Sequence, residues 1–183
     1  MRSINNQPHK PVNSFNRIAK ADARVLILGS IPGIKSLEAQ QYYAHPQNRF
    51  WRLMAHFFAI DLGQDYITRL SQLQNHGIAL WDVVHQCVRP GSLDSAIDSK
   101  SVISNDFATL FNDCPNINAV FFNGQKAAAL FKQKAQPLLD CETTQNIHWH
   151  TLPSSSPANA AYRLDSLIEH WASIKVHLVT INQ

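Results

Sequence analysis

The chain has 183 residues, of which 45% are hydrophobic and 16% are charged. A chain of this length buries about 70% of the surface that its unfolded form exposes, so its core needs no covalent staple. The composition excludes disorder of the whole chain and, with 6 Gly and 9 Pro, a fibrous repeat. No apolar run approaches the roughly 18 residues of a membrane span. Residues 1–20 also lack the apolar core of a signal peptide, so we expect a cytoplasmic protein without a membrane partner.

The net charge and the spacing of the cysteines exclude only a few classes of function. Lys and Arg number 16 against 13 Asp and Glu, which gives a net charge of +3 and a mildly basic chain. That excess is too small to indicate nucleic-acid binding by itself. Cys87, Cys114 and Cys141 lie far apart and form no CxxC pair, which argues against a disulfide framework or a thiolate metal site. We therefore expect neither a metal nor a cofactor.

The first half of the chain contains two predicted strands and two predicted helices. Residues 1–20 are polar and without period, so we interpret them as an N-terminal arm and residues 21–183 as a single domain. The apolar run from Arg24 to Ser30 predicts a buried strand, which a turn at residues 31–33 follows. Apolar residues recur at helical spacing from Phe50 onward, and a second helix is expected over residues 65–74. Residues 77–84 predict a strand that runs into a loop.

The second half continues the alternation of strands and helices. Asp106 and its neighbours can cap a helix that carries Phe107, and residues 117–122 and 147–152 predict two more strands. Helices are expected after Gly124 and after Pro157. This order predicts an α/β fold with three α/β/α layers around a central, mainly parallel four-stranded sheet. Ligands of such sheets bind at the carboxyl ends of the strands, which here are Gly29-Ser30, Trp81-Asp82, Asn123-Gly124 and Pro153-Ser154.

Two loops at these strand ends carry the side chains of interest. The turn at Gly29–Gly33 could cradle a phosphate on backbone N–H groups, but it is neither a dinucleotide fingerprint nor a P-loop. The segment from Tyr42 to Trp51 combines aromatic faces with amide groups, which is what a pocket for an extruded nucleobase requires. Three serines at 154–156 precede a predicted helix and could bind a backbone phosphate.

The chain resembles the uracil-DNA glycosylase superfamily, and within it the hypoxanthine-DNA glycosylase branch, over about residues 24–174. Six blocks carry this resemblance in the right order: Gly-Ser-Ile-Pro-Gly, Tyr-Tyr-Ala-His-Pro-Gln-Asn-Arg-Phe-Trp, Leu-Trp-Asp-Val-Val, Gly-Ser-Leu-Asp-Ser, Phe-Phe-Asn-Gly-Gln-Lys-Ala and Leu-Pro-Ser-Ser-Ser-Pro-Ala-Asn-Ala. The resemblance implies the superfamily's α/β fold, base flipping and no cofactor. It also implies a monomer that acts on DNA.

Two positions depart from related branches. Where the mismatch-specific uracil branch has a catalytic Asn that positions water, this chain has Ile31, which cannot orient water. In the hypoxanthine branch the catalytic amide comes instead from the segment that contains Asn48. The thymine branch fills the gap left by the flipped base with an Arg, whose matching position here is Ala158. Asn159 or Arg163 would then serve as a weak substitute.

The expected function is a monofunctional DNA glycosylase of base excision repair that removes hypoxanthine from deoxyinosine. Asn48 is the expected catalytic residue, Tyr43 stacks on the base, and Asn123 reads it, because one carboxamide complements N1–H and O6 of hypoxanthine. Ser30, Ile31 and His45 are expected around the base. The expected phosphate ligands are Ser154, Ser155, Ser156 and Asn159. Alternatives are a mismatch-type uracil-DNA glycosylase, a nucleotide-binding α/β module and a non-catalytic DNA-binding protein.

Overall fold

In the computed structural model, which describes residues 10–178, seven strands form two sheets. The strands are β1 (Val12–Asn13), β2 (Val25–Gly29), β3 (Ile78–Asp82), β4 (Val84–Cys87), β5 (Ile103–Ser104), β6 (Ala119–Asn123) and β7 (His148–Leu152). The larger sheet has the order β3-β2-β6-β7, and all of its strand pairs are parallel. The predicted parallel four-stranded sheet is therefore confirmed. A smaller antiparallel sheet, β1-β4-β5, stands beside it.

Helices cover both faces of the larger sheet, which confirms the three-layer α/β architecture. The α-helices of the described residues are α1 (Ile34–Ala39), α2 (Phe50–Phe58), α3 (Tyr66–Asn75), α4 (Phe107–Asp113), α5 (Gln125–Leu130), α6 (Cys141–Thr144) and α7 (Leu164–Trp171). Helix α5 continues into a π-helical turn at Phe131–Ala135. The side chain of Asp106 accepts a hydrogen bond from the Thr109 N–H, so the predicted cap of α4 is present.

The alternation of side chains along β2 divides the core into two parts. Leu26 and Leu28 point to the layer that contains α4 and α5. Val25 and Ile27 point to the layer that contains α2, α3 and α7. Every residue of β2, β3 and β6 is buried, as expected for strands with helices on both faces. The sheet is thus a rigid platform, and its carboxyl edge is free to carry a site.

The segment before β2 is more closely attached to the domain than the sequence predicts. Strand β1 pairs with β4, and Ile18 exchanges backbone hydrogen bonds with Leu80. The Ser14 hydroxyl donates to Asp82 Oδ2 over 2.8 Å, and the indole N–H of Trp81 donates to the Phe15 carbonyl over 3.0 Å. Residues 12–18 therefore pack on the domain, whereas residues 1–9 of the expected arm lie outside the described residues. No helix in residues 10–178 is long and apolar enough to cross a membrane.

Candidate active site

A cleft of about 570 Å³ opens at the carboxyl edge of the parallel sheet. Its walls are residues 29–36, 92–94, 123–126 and 154–159, together with Asp82 and four residues of the 42–48 segment. All four strand ends that were expected to carry the site therefore contribute to one cleft. The structure also brings together every residue that the sequence predicts for the site: Ser30, Ile31, Tyr43, His45, Asn48, Asn123, Ser154, Ser155, Ser156 and Asn159.

Tyr43 presents one aromatic face to this cleft. Its ring stacks on Phe50 with a centroid distance of 3.9 Å and an interplanar angle of 21°. Phe50 is fully buried, so the stack is supported from the core of the domain. The Tyr43 backbone has a φ of 57°, which an aromatic residue rarely adopts. Because Phe50 occupies one ring face, a flat ligand in the cleft can stack only on the opposite face.

Two amides and one serine form a hydrogen-bonded row across the cleft. Asn48 Oδ1 accepts from the backbone N–H of Phe50 over 3.0 Å and from the Ser155 hydroxyl over 2.9 Å. Asn123 Nδ2 donates to Ser155 Oγ over 2.9 Å, and Asn123 Oδ1 accepts from the Ser155 N–H over 2.8 Å. The row fixes both carboxamide orientations. It leaves Asn48 with its Nδ2 donors for a ligand and Asn123 with one N–H and one lone pair.

The position of Ser155 differs from the expectation that it binds phosphate. Its side chain is 0% exposed, because it lies between the two amides. The hydroxyl hydrogen is donated to Asn48, so it is not available to a phosphate oxygen. Ser155 therefore holds Asn48 and Asn123 in register. In a run of three serines, the sequence does not indicate which serine binds phosphate and which orients neighbouring amides.

Residues 154–159 form the serine loop of the cleft wall. Apart from Ser155, its serines have hydroxyl donors available for an anion. The hydroxyls of Ser154 and Ser156 accept hydrogen bonds from the backbone N–H groups of Ser156 and Ala158, over 3.2 and 3.3 Å. Their own O–H hydrogens remain free to donate, and both side chains are half-buried. Asn159 Nδ2 donates to the Ser154 carbonyl over 3.0 Å, so this amide shapes the loop.

Arg49 holds the serine loop against the loop that carries Asn48. Its guanidinium donates to the carbonyls of Ser155, Tyr162, Ser156 and Asn159. Its backbone N–H also donates to the Ser155 carbonyl over 3.1 Å. These four loop carbonyls therefore use the donors of the guanidinium. Arg49 is thus a structural clamp of the cleft.

A buried carboxylate lies under the glycine that ends β2. Asp82 is 3% exposed, and a Cβ on Gly29 would lie 2.5 Å from Asp82 Oδ1 and 3.5 Å from the Tyr43 hydroxyl. Only glycine fits between these groups. Burial raises the pKa of Asp82 to about 7, although its Oδ2 accepts from the Ser14 hydroxyl. Burial and the neighbouring Asp82 carboxylate raise the pKa of Tyr43, and the nearby Asn123 side chain offsets part of this rise. The buried hydroxyl makes no hydrogen bond of good geometry among the described residues.

Ile31 and His45 add an apolar wall and one donor. The Ile31 side chain is 6% exposed and belongs to the core, so it closes the cleft without a polar group. His45 Nδ1 accepts from the Gln47 N–H over 3.2 Å. In the neutral ring the proton therefore sits on Nε2, where it can be donated.

Three residues that line the cleft, and Arg89 behind it, had no role in the sequence predictions. Arg89 is 3% exposed and donates to the carbonyls of Ile31 and Pro32, so it fixes the turn after β2. Asp94 accepts from the Ser30 hydroxyl over 2.6 Å, so the proton of this hydroxyl is used and its oxygen lone pairs are left for the base-binding role expected of it. Lys126 and Leu93 also line the cleft. A basic residue shortly after an apolar strand is the signal that could have indicated Lys126, whereas Asp94 lies between β4 and β5, away from any strand end.

The site shows no arrangement typical of a metal centre. Among residues 10–178, no three His, Cys, Asp or Glu side chains converge so that they could hold a metal ion. Cys87 and Cys114 are buried free thiols, and Cys141 is an exposed one. The polar groups of the cleft are amides, hydroxyls, one imidazole, two lysine ammonium groups and two carboxylates, of which Asp82 is buried and Asp94 half-buried. Such groups recognise the edge of a ligand and polarise a bond by hydrogen bonding and charge.

Comparison with known proteins places these residues in a described family. The family model of the uracil DNA glycosylase superfamily matches residues 15–175, which include every segment of the cleft. A Methanosarcina acetivorans protein named hypoxanthine DNA glycosylase is 36% identical over 165 residues, which are 89% of this chain and 97% of that protein. A Methanosarcina barkeri protein of the same name is 39% identical over 114 residues, 62% of this chain and 71% of its own.

A solved structure shows the same fold. The solution NMR structure of a Methanosarcina acetivorans protein, described there as a uracil DNA glycosylase, superimposes with a TM-score of 0.75. The superposition covers 92% of this chain and 99% of that one, at 34% sequence identity. The similarity therefore extends over the whole relative and is not confined to the cleft.

Proposed function

The chain belongs to the uracil DNA glycosylase superfamily, and from this premise we propose that it is a monofunctional DNA glycosylase that removes hypoxanthine from deoxyinosine. The observation that carries the proposal is the Asn48–Ser155–Asn123 row beside the open face of Tyr43. A stacking face and fixed amides in one cleft suit a flipped nucleobase. The two relatives named hypoxanthine DNA glycosylase support the choice of base.

Base flipping gives the substrate access to the cleft. The glycosidic bond of a stacked, paired nucleotide is out of reach, so the nucleotide leaves the duplex at a cost of a few kcal/mol. A mispaired hypoxanthine costs less to extrude than a correctly paired base. The flipped base then lies on the free face of Tyr43, with Ile31 as its apolar boundary. Stacking on one aromatic side chain contributes about 1–3 kcal/mol.

Hydrogen bonds to the base edge supply the selectivity. Hypoxanthine offers N1–H as a donor and O6 as an acceptor, and Asn123 keeps one lone pair and one N–H, each of which suits one of these two groups. Adenine has the reverse pattern, so it would leave buried groups unpaired. His45 Nε2 adds a donor to the same cleft. Uracil shares the donor–acceptor pair of hypoxanthine, so pocket size must separate these two bases.

Asn48 acts on the reaction through its Nδ2 atom. Both acceptor directions of its Oδ1 are occupied by Phe50 N–H and Ser155 Oγ–H, so the remaining amide hydrogens are donors to the reacting groups. A donor fixed in this way can hold the oxygen of the attacking water. When the C1′–N9 bond breaks, its electron pair goes to the base, the water oxygen bonds to C1′, and the water proton finally resides on the released base. Fixed donors of this kind typically contribute 10²–10³-fold to a rate.

The DNA backbone would contact the serine loop. Ser154 and Ser156 keep O–H donors at the cleft edge, and Asn159 shapes the loop that presents them. Lys126 adds a positive charge on another part of the cleft. Lys35 forms an ion pair with Glu38 at 2.8 Å, so it is a poor candidate for a Schiff-base nucleophile. We therefore expect hydrolysis without strand cleavage, and a monomer acting on one nucleotide at a time.

The test is a panel of oligonucleotides that carry deoxyinosine, uracil, xanthine or a thymine mismatch, with and without alkali. We expect alkali-dependent cleavage that is fastest at deoxyinosine. The variant Asn48→Asp keeps the Oδ1 acceptor but loses the Nδ2 donors, so its single-turnover rate should fall about 100-fold or more. Asn116→Ala, at an exposed asparagine outside the cleft, is the matched control.

Each outcome of this panel is decisive. Faster release of uracil than of hypoxanthine would replace the proposed substrate with that of a mismatch-type uracil DNA glycosylase. Full activity of Asn48→Asp would show that the reaction does not need the Nδ2 donors of Asn48. Strand cleavage without alkali would contradict the monofunctional reaction.

A further inference from the structure

An exposed leucine lies at the rim of the cleft. Leu93 is 58% exposed, and together with Ile34, which is 42% exposed, it lines the cleft wall. The other large hydrophobic side chains that are exposed in residues 10–178 do not line it. Single exposed apolar residues are common on protein surfaces and need no explanation. Leu93 differs because it stands at the entrance of a site that a DNA duplex must approach.

The backbone that carries Leu93 is held from both sides. Ser92 Oγ accepts from the Ile34 N–H over 3.0 Å, and the buried Arg89 donates to the Gly91 carbonyl over 3.0 Å. On the other side, Asp94 accepts from the Ser30 hydroxyl over 2.6 Å. The neighbours of Leu93 are thus bonded to the turn after β2. The exposed leucine side chain therefore projects from an anchored segment, which is what a wedge requires.

The serine loop offers no comparable group. Ala158 is exposed but ends at its Cβ, and the amide of Asn159 is bonded to the Ser154 carbonyl. Arg163 is exposed but does not line the cleft. The two loops also lie on different sides of the cleft, because one is bonded to the segment after β2 and the other follows β7, with β6 between these strands.

We propose that Leu93 is the wedge that enters the base stack and fills the space left by the flipped nucleotide. The inference rests on the proposed function, because only an enzyme that extrudes a base leaves such a space. Apolar side chains that enter the stack contact the faces of neighbouring bases and lower the cost of unstacking. Leu93 would therefore act on extrusion and not on the bond-breaking step.

The test compares duplex with single-stranded DNA. Single-turnover excision of hypoxanthine is measured on both substrates for wild type, Leu93→Ala and the control Leu62→Ala, a leucine of 47% exposure outside the cleft. Because extrusion from a duplex costs a few kcal/mol, we expect Leu93→Ala to slow excision from duplex about tenfold or more. Its rate on single strands should stay within about twofold of wild type. Leu93→Met should restore most of the duplex rate.

A fluorescence measurement separates the wedge from the reaction. A 2-aminopurine placed beside deoxyinosine in duplex DNA brightens when its neighbour is extruded, whether or not the base is then cut out. We expect brightening with wild type and Leu62→Ala but not with Leu93→Ala. Equal brightening with Leu93→Ala, or an equal loss of excision on duplex and single strands, would overturn the wedge. Leu93-dependent brightening without any excision would support the wedge and refute the proposed reaction.

Discussion

Tyr43 combines two features that each cost stability. Its φ of 57° is strained for an aromatic residue, at a typical cost of about 1–3 kcal/mol. Its buried hydroxyl has no partner among the described residues, which costs about 1–3 kcal/mol more. The stack on Phe50 fixes the ring, so the strained backbone delivers one flat face to the cleft. We therefore propose that the ring face, and not the hydroxyl, is the functional part of this residue.

Replacement of Tyr43 by phenylalanine tests this division. A base that stacks on the ring face cannot reach the hydroxyl, which lies in the plane of the ring. We expect Tyr43→Phe to keep excision within about threefold of wild type and to raise the free energy of unfolding by about 1 kcal/mol, because an unpaired buried group is removed. Tyr43→Ala should slow excision about tenfold to 100-fold through the lost stacking. Urea unfolding and single-turnover excision are the two measurements.

The contrary result is informative as well. If Tyr43→Phe lost excision as strongly as Tyr43→Ala while its stability rose, the hydroxyl would be a substrate contact and the stacking geometry would be wrong.

Residue types at the site could be predicted from the sequence, but their partners could not. Aromatic and amide residues in one loop indicated Tyr43 and Asn48, since few other functions need that combination. The burial of Ser155 and the carbonyl contacts of Arg49 depend on how two loops 100 residues apart in sequence meet. Neither loop has a periodic sequence pattern from which such a contact could be predicted. The structure therefore assigns roles that the sequence did not indicate to Ser155 and Arg49, whose hydrogen-bond partners lie far away in the sequence.

The serine loop depends on a single side chain. Arg49 is bonded to four carbonyls of residues 155–162, which all face one guanidinium. A planar group with five N–H donors can reach several acceptors at once, whereas an ammonium has three donors at one point. The loop in turn supplies Ser155, which orients both amides. We therefore expect the clamp to affect catalysis without contacting the substrate.

The substitution Arg49→Lys keeps the positive charge but removes the planar group with its five N–H donors. We expect the free energy of unfolding to fall by about 2 kcal/mol, because hydrogen bonds from a charged donor are lost. Amide hydrogen exchange within residues 154–162 should become faster, and the kcat for excision should fall with little change in KM. Arg52→Lys, at an exposed arginine of the same helix region, is the control and should match wild type. Unchanged exchange in that loop would show that Arg49 is not its clamp.

At the scale of elements, burial explains what could be predicted. β2, β3 and β6 are buried throughout and read as short apolar runs, so they were recognisable. β1 and β5 have two residues each, and β4 follows β3 after a single residue. Strands so short show no detectable alternation of apolar and polar residues in the sequence. They form because they pair with one another. Because β1 is so short, the sequence of residues 12–18 did not indicate that this segment packs on the domain.

For the molecule as a whole, the buried ionisable groups have opposite effects on the dependence of stability on pH. Burial lowers the pKa values of His150 and His177, so these histidines favour unfolding as pH falls below their ordinary value of 6.5. Asp82 acts in the other direction. Burial raises its pKa from 3.8 to about 7, so between these values the folded state holds a proton that the unfolded state releases. The free energy of unfolding due to Asp82 therefore decreases as pH rises through this window.

Asp82→Asn isolates that contribution. The asparagine keeps the shape and can still accept from the Ser14 hydroxyl, but it never becomes charged. Subtracting the wild-type unfolding free energy from that of the variant cancels the histidines, which both proteins share. We expect this difference to rise from about pH 4 to pH 7 and to be constant above, with an amplitude on the order of 4 kcal/mol at 1.36 kcal/mol per pKa unit. Urea denaturation at each pH measures it, and a difference that does not change with pH would show that Asp82 ionises normally in the folded protein.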